Sequence, residues 1–461
     1  MGVTAKDIAA VTPATRDRYV DLLRVASLGT VIAGHWLMAA VSRDGIGNLL
    51  AVVPPLQVLT WALQVMPVFF FVGGFSHALS YRSLARRTDG GPLYAAFLRA
   101  RLQRLLRPTL VFVAVWTATA LAAQLFGGGG GRLSGAAFRL VTQPLWFIGI
   151  YLAMVALTPP LLRLHERCGW AAFAGLAAAA AAVDLLRFAG GVPYAEFLNF
   201  AFVWLAVHQL GFLRADGRIR RPGALAAAGL AAAVALVAYG PYPLSMVGMP
   251  GEKVSNMAPP TLALLAHGIW LVGAVELLRA PAGAWLARPR VWRRVVAANG
   301  VAMTAFLWHL TAMLAVYAAQ LGLGIALPEP AGAAWWAQVP VRFLTAAALT
   351  CVLVGLFRRF EAPAASRPGR PGRPGRPTSA GSASRPSSPP PGSGARAALG
   401  TVLCLLGVLG LSSTGLGGLL EGHSATLIAF PVTAPAAIGM AIGGWLLVER
   451  SGTSRRVRLG G

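Results

Sequence analysis

The chain predicts an all-α fold, a polytopic transmembrane helical bundle of about ten core helices plus a C-terminal two-helix appendage, and three observations lead there. Of its 461 residues, 56% are hydrophobic and only 12% are charged, about half the charged share of an ordinary soluble domain. Apolar stretches of about 17 to 25 residues, long enough to cross a bilayer core as helix, recur from end to end. Arginines gather in alternate connections between those stretches, the pattern that the cytoplasmic excess of cations produces. A formal charge of +25 would suggest nucleic acid as partner in a soluble protein. Spread between spans it sets orientation instead, so the expected partner is the lipid bilayer and no nucleic acid.

The elements follow in order. Residues 1–18 form a cytoplasmic N-terminal segment, and the first span, 19–41, carries Asp21, Arg24 and His35. Its length and these polar groups make it a retained anchor rather than a cleaved signal peptide. Further spans near 56–80, 108–126, 144–162, 168–188, 197–213, 223–240, 258–278, 300–322 and 340–357 complete a core domain over 19–360. The connection after the second span holds Arg82, Arg86, Arg87, Arg99, Arg101, Arg104 and Arg107, and later alternate connections hold Arg163 with Arg167, Arg214 to Arg221, and Arg279 to Arg294. The intervening ones are sparser, with Arg43, Arg132, Arg139, Arg187 and Lys253, so both termini are expected in the cytoplasm of a multi-pass cell-membrane protein.

Residues 361–395 contain SRPGRPGRPGRPTSAGSASRPSSPPPGSG, which buries too little apolar surface to offset chain entropy and is expected to be a disordered linker. Beyond it a hairpin at 396–449, with spans near 397–419 and 425–448, is rich in the small residues that let helices approach closely. A basic cytoplasmic tail, 450–461, ends the chain. Cys168, Cys351 and Cys404 lie far apart without metal spacing, so no metal is expected.

Chemistry concentrates in the run DLLRVASLGTVIAGHWLMAA. Eleven positions separate Arg24 from His35, a rotation of about 1100° and a rise of about 16 Å, so both side chains share one helix face. Asp21, three residues before Arg24, lies on that face and can partly neutralise it. Polar groups inside a span usually line a functional cavity. The plainer alternative is that Asp21 and Arg24 anchor the helix at the interface while His35 bonds a backbone carbonyl.

Four further segments accompany this one: PVFFFVGGFSHALSYR at 67–82, RARLQRLLRP at 99–108, PLWFIGIYL at 144–152 and TAFLWHL at 304–310. In this order, after YVDLLRVASLGTVIAGH at 19–35, they resemble the integral-membrane acyltransferase 3 family, which transfers acyl groups, commonly acetyl from acyl-CoA, to carbohydrates and other hydroxylated acceptors. The match extends over roughly 16–360. Gly73 stands where a serine commonly precedes Gly-Phe, and Arg107 is an additional cation beside the R-x-x-R formed by Arg101 and Arg104.

The resemblance implies acyl-CoA, with acetyl-CoA expected, as donor substrate, and a hydroxylated glycan, lipid or small molecule as acceptor. Transfer from thioester to hydroxyl needs a base near neutrality, which imidazole supplies, so His35 is the candidate base. Arg24 would steer the pantetheine arm or stabilise an oxyanion, with Asp21 beside it. Arg101, Arg104 and Arg107 would hold the donor's phosphates, or else simply anchor their span. His77 would meet the donor or be a solvated helix end. Trp146 is a packing or substrate-binding residue, and His309 a satisfied bundle histidine or a second catalytic group. His208, His267 and Glu276 are expected to pair across the bundle, and His165 to be solvated in a loop. His35 lies about two-thirds across its span from the inside, so donor and acceptor would approach from opposite sides. The alternative function is a twelve-helix secondary transporter of a small polar solute, which lacks support from any repeat between the halves.

Overall fold

The computed structural model describes residues 16–42, 45–87, 93–127, 132–249, 251–361 and 393–451. Most of the expected N-terminal segment, linker and C-terminal tail lie outside them. Twelve long helices occur among the described residues: α1 (Arg18–Met38), α2 (Met66–Ala85), α3 (Leu93–Phe126), α4 (Leu145–Cys168), α5 (Trp170–Phe188), α6 (Asn199–Ala215), α7 (Pro222–Tyr239), α8 (Leu262–Leu277), α9 (Ala302–Gly322), α10 (Ala333–Phe357), α11 (Ser393–Thr414) and α12 (Ala434–Ser451). Nine helical stretches among the described residues are long and apolar enough to cross a membrane, or ten if α8 and the helix Arg279–Leu286, bent by 49°, make one span. The chain is thus a multi-pass helical bundle. α1 and α12 fall outside that set because charged side chains lower their hydropathy.

Several boundaries differ from the hydropathy reading, each for a local reason. α1 ends at Met38, and the chain turns into a hairpin of β1 (Ala39–Ser42) and β2 (Gly45–Asn48), with Ala40 opposite Gly47. His35 therefore lies in the last turn of its helix rather than two-thirds across it. Gly45 has φ of 154°, a conformation open to glycine and strained for other residues. α3 starts at Leu93, so Arg99, Arg101, Arg104 and Arg107 stand on its first turns and Pro108 sits inside a 34-residue helix. The last expected span is shorter, because β3 (Ser424–Leu427) and β4 (Phe430–Thr433) pair as a hairpin before α12.

α2 is the centre of the bundle. From Met66 to Phe75 every residue is buried, as a helix apolar all round requires. It crosses α6 where Gly74 meets Gly211; a Cβ on Gly74 would collide with the carbonyl of His208, and one on Gly211 with the carbonyl of Phe71. Only the absence of side chains lets these backbones touch. The same device joins α11 to α12 at Gly400, Gly407 and Gly444, and Gly149 of α4 receives Leu405 and Leu409 of α11.

The arginine-rich connections converge at one end of the bundle. Arg82 of α2 pairs with Asp216 at 2.6 Å and Glu166 at 3.3 Å, while Arg214 reaches Glu276 at 2.8 Å and Arg279 reaches Asp17 at 2.9 Å. His165 is buried there, not solvated: it bonds Asp216 and Gln209, each at 2.8 Å. A carboxylate and an amide close to a helix end satisfy a ring that the sequence leaves beside a loop.

Candidate active site

α1 and α9 bring two imidazoles together. His35 Nδ1 lies 2.8 Å from His309 Nε2, the rings stack with centroids 5.1 Å apart, and the Trp36 indole donates to the His309 carbonyl at 3.0 Å. The other nitrogen of His309, Nδ1, bonds the backbone carbonyl of Phe306. A carbonyl only accepts, so in the neutral ring Nδ1 carries the hydrogen and Nε2 is an acceptor. His35 Nδ1 must then donate, which leaves the lone pair on His35 Nε2. His309 is completely buried, whereas His35 remains exposed; the accessible ring is the one with a free basic nitrogen.

Toward the basic end, Arg24 donates to Ser76 Oγ of α2 at 2.9 Å. Its expected neutralisation by Asp21 is partial: that carboxylate is 2.6 Å from Arg16 and 3.5 Å from Arg24. Ser80, one turn beyond Ser76, donates to the Ser76 carbonyl at 2.7 Å and accepts from Arg101. The positive charges of Arg24 and Arg104 both act on the Arg101 guanidinium. Hydroxyls bond two of these guanidinium groups, those of Arg24 and Arg101, while the Asp21 carboxylate lies beside Arg24, and the forked donors of arginine are chemically suited to phosphate. Glu361 closes this end, accepting from the Thr304 hydroxyl at 2.5 Å and the Met303 amide at 3.1 Å. Burial lifts its carboxyl above the usual range, although these bonds and the charge of Arg104 pull the other way.

A family model described as an acyltransferase domain matches residues 17–358. The chain belongs to the acyltransferase 3 family. No curated protein and no solved structure matches it. It is a membrane acyltransferase, transferring groups other than aminoacyl groups, and the matched segment takes in all of α1 to α10 and stops before α11 and α12.

In this acyltransferase the remaining predicted residues divide between the site and its surroundings. His77 sits in the bundle interior and not at its mouth. It is completely buried, with Nδ1 at 3.1 Å from His208 Nε2 and Nε2 at 2.9 Å from the Tyr151 hydroxyl. The reason is rotation: about 100° separates successive residues on α2, so while Ser76 meets α1, His77 turns to α4 and α6. Arg107 lies about 120° around α3 from Arg101, off the face that meets Ser80. Trp146 is half-buried, its ring 6.5 Å from Trp204 and 6.4 Å from Phe147. Across the bundle, His208 pairs with His77 as above, Glu276 with Arg214, and His267 donates to the Trp61 carbonyl at 2.8 Å.

Ser76, Ser80 and Tyr151 escaped the sequence reading. The available signal was a pair of hydroxyls four residues apart on an otherwise apolar helix, flanking a histidine. Such a pair stacks on one face, but hydroxyls inside membrane helices commonly bond only their own backbone.

Proposed function

We propose that this acyltransferase moves an acyl group, acetyl being the expected one, from cytoplasmic acyl-CoA to a hydroxyl of a carbohydrate, lipid-linked or exported small-molecule acceptor, with His35 as general base. The observation that carries the proposal is the hydrogen-bonded pair of His35 and His309, anchored on the Phe306 carbonyl. The acceptor oxygen attacks the thioester carbonyl carbon while its proton passes to His35 Nε2. Positive charge then develops on His35 and strengthens its Nδ1–H bond to His309. As the tetrahedral intermediate collapses, the C–S bond breaks and the thiolate takes the proton back from Nε2, giving ester and free CoA.

Arg24 lies about 16 Å along α1 from His35, a separation that suits the anionic end of the donor rather than an oxyanion beside the base. Arg24, Arg101 and Arg104 would hold phosphates, Ser76 and Ser80 would fix the guanidinium groups of Arg24 and Arg101, and Asp21 would set the position of Arg24. In this reading the basic end faces the cytoplasm and both termini lie there, in the cell membrane. His77 and Trp146 shape the bundle around the site.

Purified protein in lipid nanodiscs, supplied with acetyl-CoA and a panel of envelope glycans, lipids and small hydroxylated metabolites, tests the proposal. Acceptor-dependent release of CoA, with an ester of matching mass, supports it. An absence of acceptor-dependent release across donors of different chain length overturns the choice of donor. Comparing envelope extracts by mass spectrometry from cells with and without the gene identifies the acceptor through a lost acyl mass.

A further inference from the structure

The C-terminal hairpin lies beyond the matched segment, yet it grips the helix that carries the phosphate-site arginines. Glu449 of α12 accepts from Gln103 Nε2 at 2.8 and 3.0 Å and pairs with Arg99 at 3.3 Å. At the other end of α3, the backbone amide of Leu420 donates to Gln124 Oε1 at 3.0 Å. Residues 103 and 124 are separated by about 32 Å of helix, so the hairpin clasps α3 over about the full thickness of a bilayer core. Between the two clasps is Pro108. A proline inside a helix has no N–H for the carbonyl four residues back and crowds it, and that carbonyl belongs to Arg104. α3 is therefore weakest next to its own arginines.

Helix geometry links the clasp to the site. Arg99 and Gln103 stand about 40° apart on one face of α3; measured from the middle of that face, Arg101 projects about 180° away and Arg104 about 120° away. Pinning one face fixes the rotation of the other. We infer that the hairpin is a splint across the Pro108 weak point, and that Glu449 is a positioning residue which sets Arg101 and Arg104 for the donor's phosphates. The inference rests on the donor reading given above.

The experiment measures KM for acetyl-CoA and kcat in nanodiscs for the full chain and for Glu449→Gln, Glu449→Ala, and the exchanged pair Arg99→Glu with Glu449→Arg. The single variants are expected to raise KM about five- to tenfold, a coupling in the range of charged pairs in contact, with kcat within about twofold of the parent chain. The exchanged pair is expected to recover most of the loss. Unchanged KM in Glu449→Gln and Glu449→Ala, in protein that stays monodisperse, overturns the inference. So does an equal fall of kcat and rise of KM with no recovery in the exchanged pair, the mark of general destabilisation. A parent chain that releases no CoA from any acyl-CoA overturns the donor reading instead. In that case the splint is tested by spin-label distances across Pro108: broader distributions in Glu449→Ala support it, and unchanged ones overturn it.

Discussion

His35 Nδ1 stands 2.8 Å from His309 Nε2, although 274 residues separate them along the chain. Because the Phe306 carbonyl fixes the hydrogen on His309 Nδ1, the pair has a direction: His35 donates inward and presents a free Nε2. A buried imidazole orients an exposed one, as a carboxylate orients the base of a hydrolytic triad, but without a permanent charge in a setting where charge is costly.

Replacing His35 by alanine removes the proposed base. The rate of acceptor-dependent CoA release is expected to fall by about 10²- to 10⁴-fold, the range for general acid–base catalysis, while the protein stays folded by size exclusion and circular dichroism. A variant within tenfold of the parent would refute His35 as base.

His309→Ala leaves the base in place but without its orienting partner. The expected loss in kcat is about ten- to a hundredfold, with KM for the donor unchanged, since His309 touches none of the arginines proposed to hold it. A change confined to KM would mean that the ring binds substrate directly.

Ser76→Ala deletes the acceptor of the Arg24 hydrogen bond. Bonds to charged groups contribute about 1.5 to 3 kcal/mol, and part of that loss is expected as a rise of about tenfold in KM for acyl-CoA. Equilibrium binding of a non-hydrolysable acyl-CoA analogue checks this independently of turnover.

Gly74→Ala would push a methyl group into the carbonyl of His208, where α2 and α6 touch. Overpacking of this kind costs about 1 to 3 kcal/mol, so a lower Tm in detergent is expected together with reduced activity, because α2 carries Ser76 and Ser80. Gly175→Ala, where a Cβ meets nothing within 4 Å, is the control and is expected to leave Tm unchanged.

Asp216 gives a pH-dependent prediction outside the spans. Burial alone would raise its carboxyl, but the hydrogen bonds from Arg82 and His165 outweigh it and hold the group below the usual carboxylate range. A carboxyl held lower in the folded state than in the unfolded one stabilises above its unfolded pKa of about 3.9, and that stability fades as pH falls through the folded value. Asp216→Asn is therefore expected to lower Tm at pH 7, with the gap from the parent closing as pH falls below about 4. A gap that stays constant with pH would assign the effect to packing.

The bundle was legible in the sequence because the free energy of placing a residue in lipid is nearly a local property. Ten core spans and a terminal hairpin followed from runs of apolar residues, and the shared face of Arg24 and His35 from the helical period alone. The family match over 17–358 covers all five segments that carry the resemblance. Local information also misplaced ends: β1 replaced the tail of the first span, and α3 began fifteen residues before its apolar run, since a helix continues through arginines that water can solvate.

What the sequence by itself determined is the class of the molecule, most of its long apolar helices, and the residues on α1 that share a face. Tertiary structure decided the partners. Whether His35 meets His309, whether Ser76 or His77 faces Arg24, and whether Glu449 reaches Gln103 depends on the rotation and axial offset of separate helices. Those are set by close contacts such as Gly74 on Gly211. Such offsets arise from packing between segments distant in the chain, and no periodicity within one segment records them.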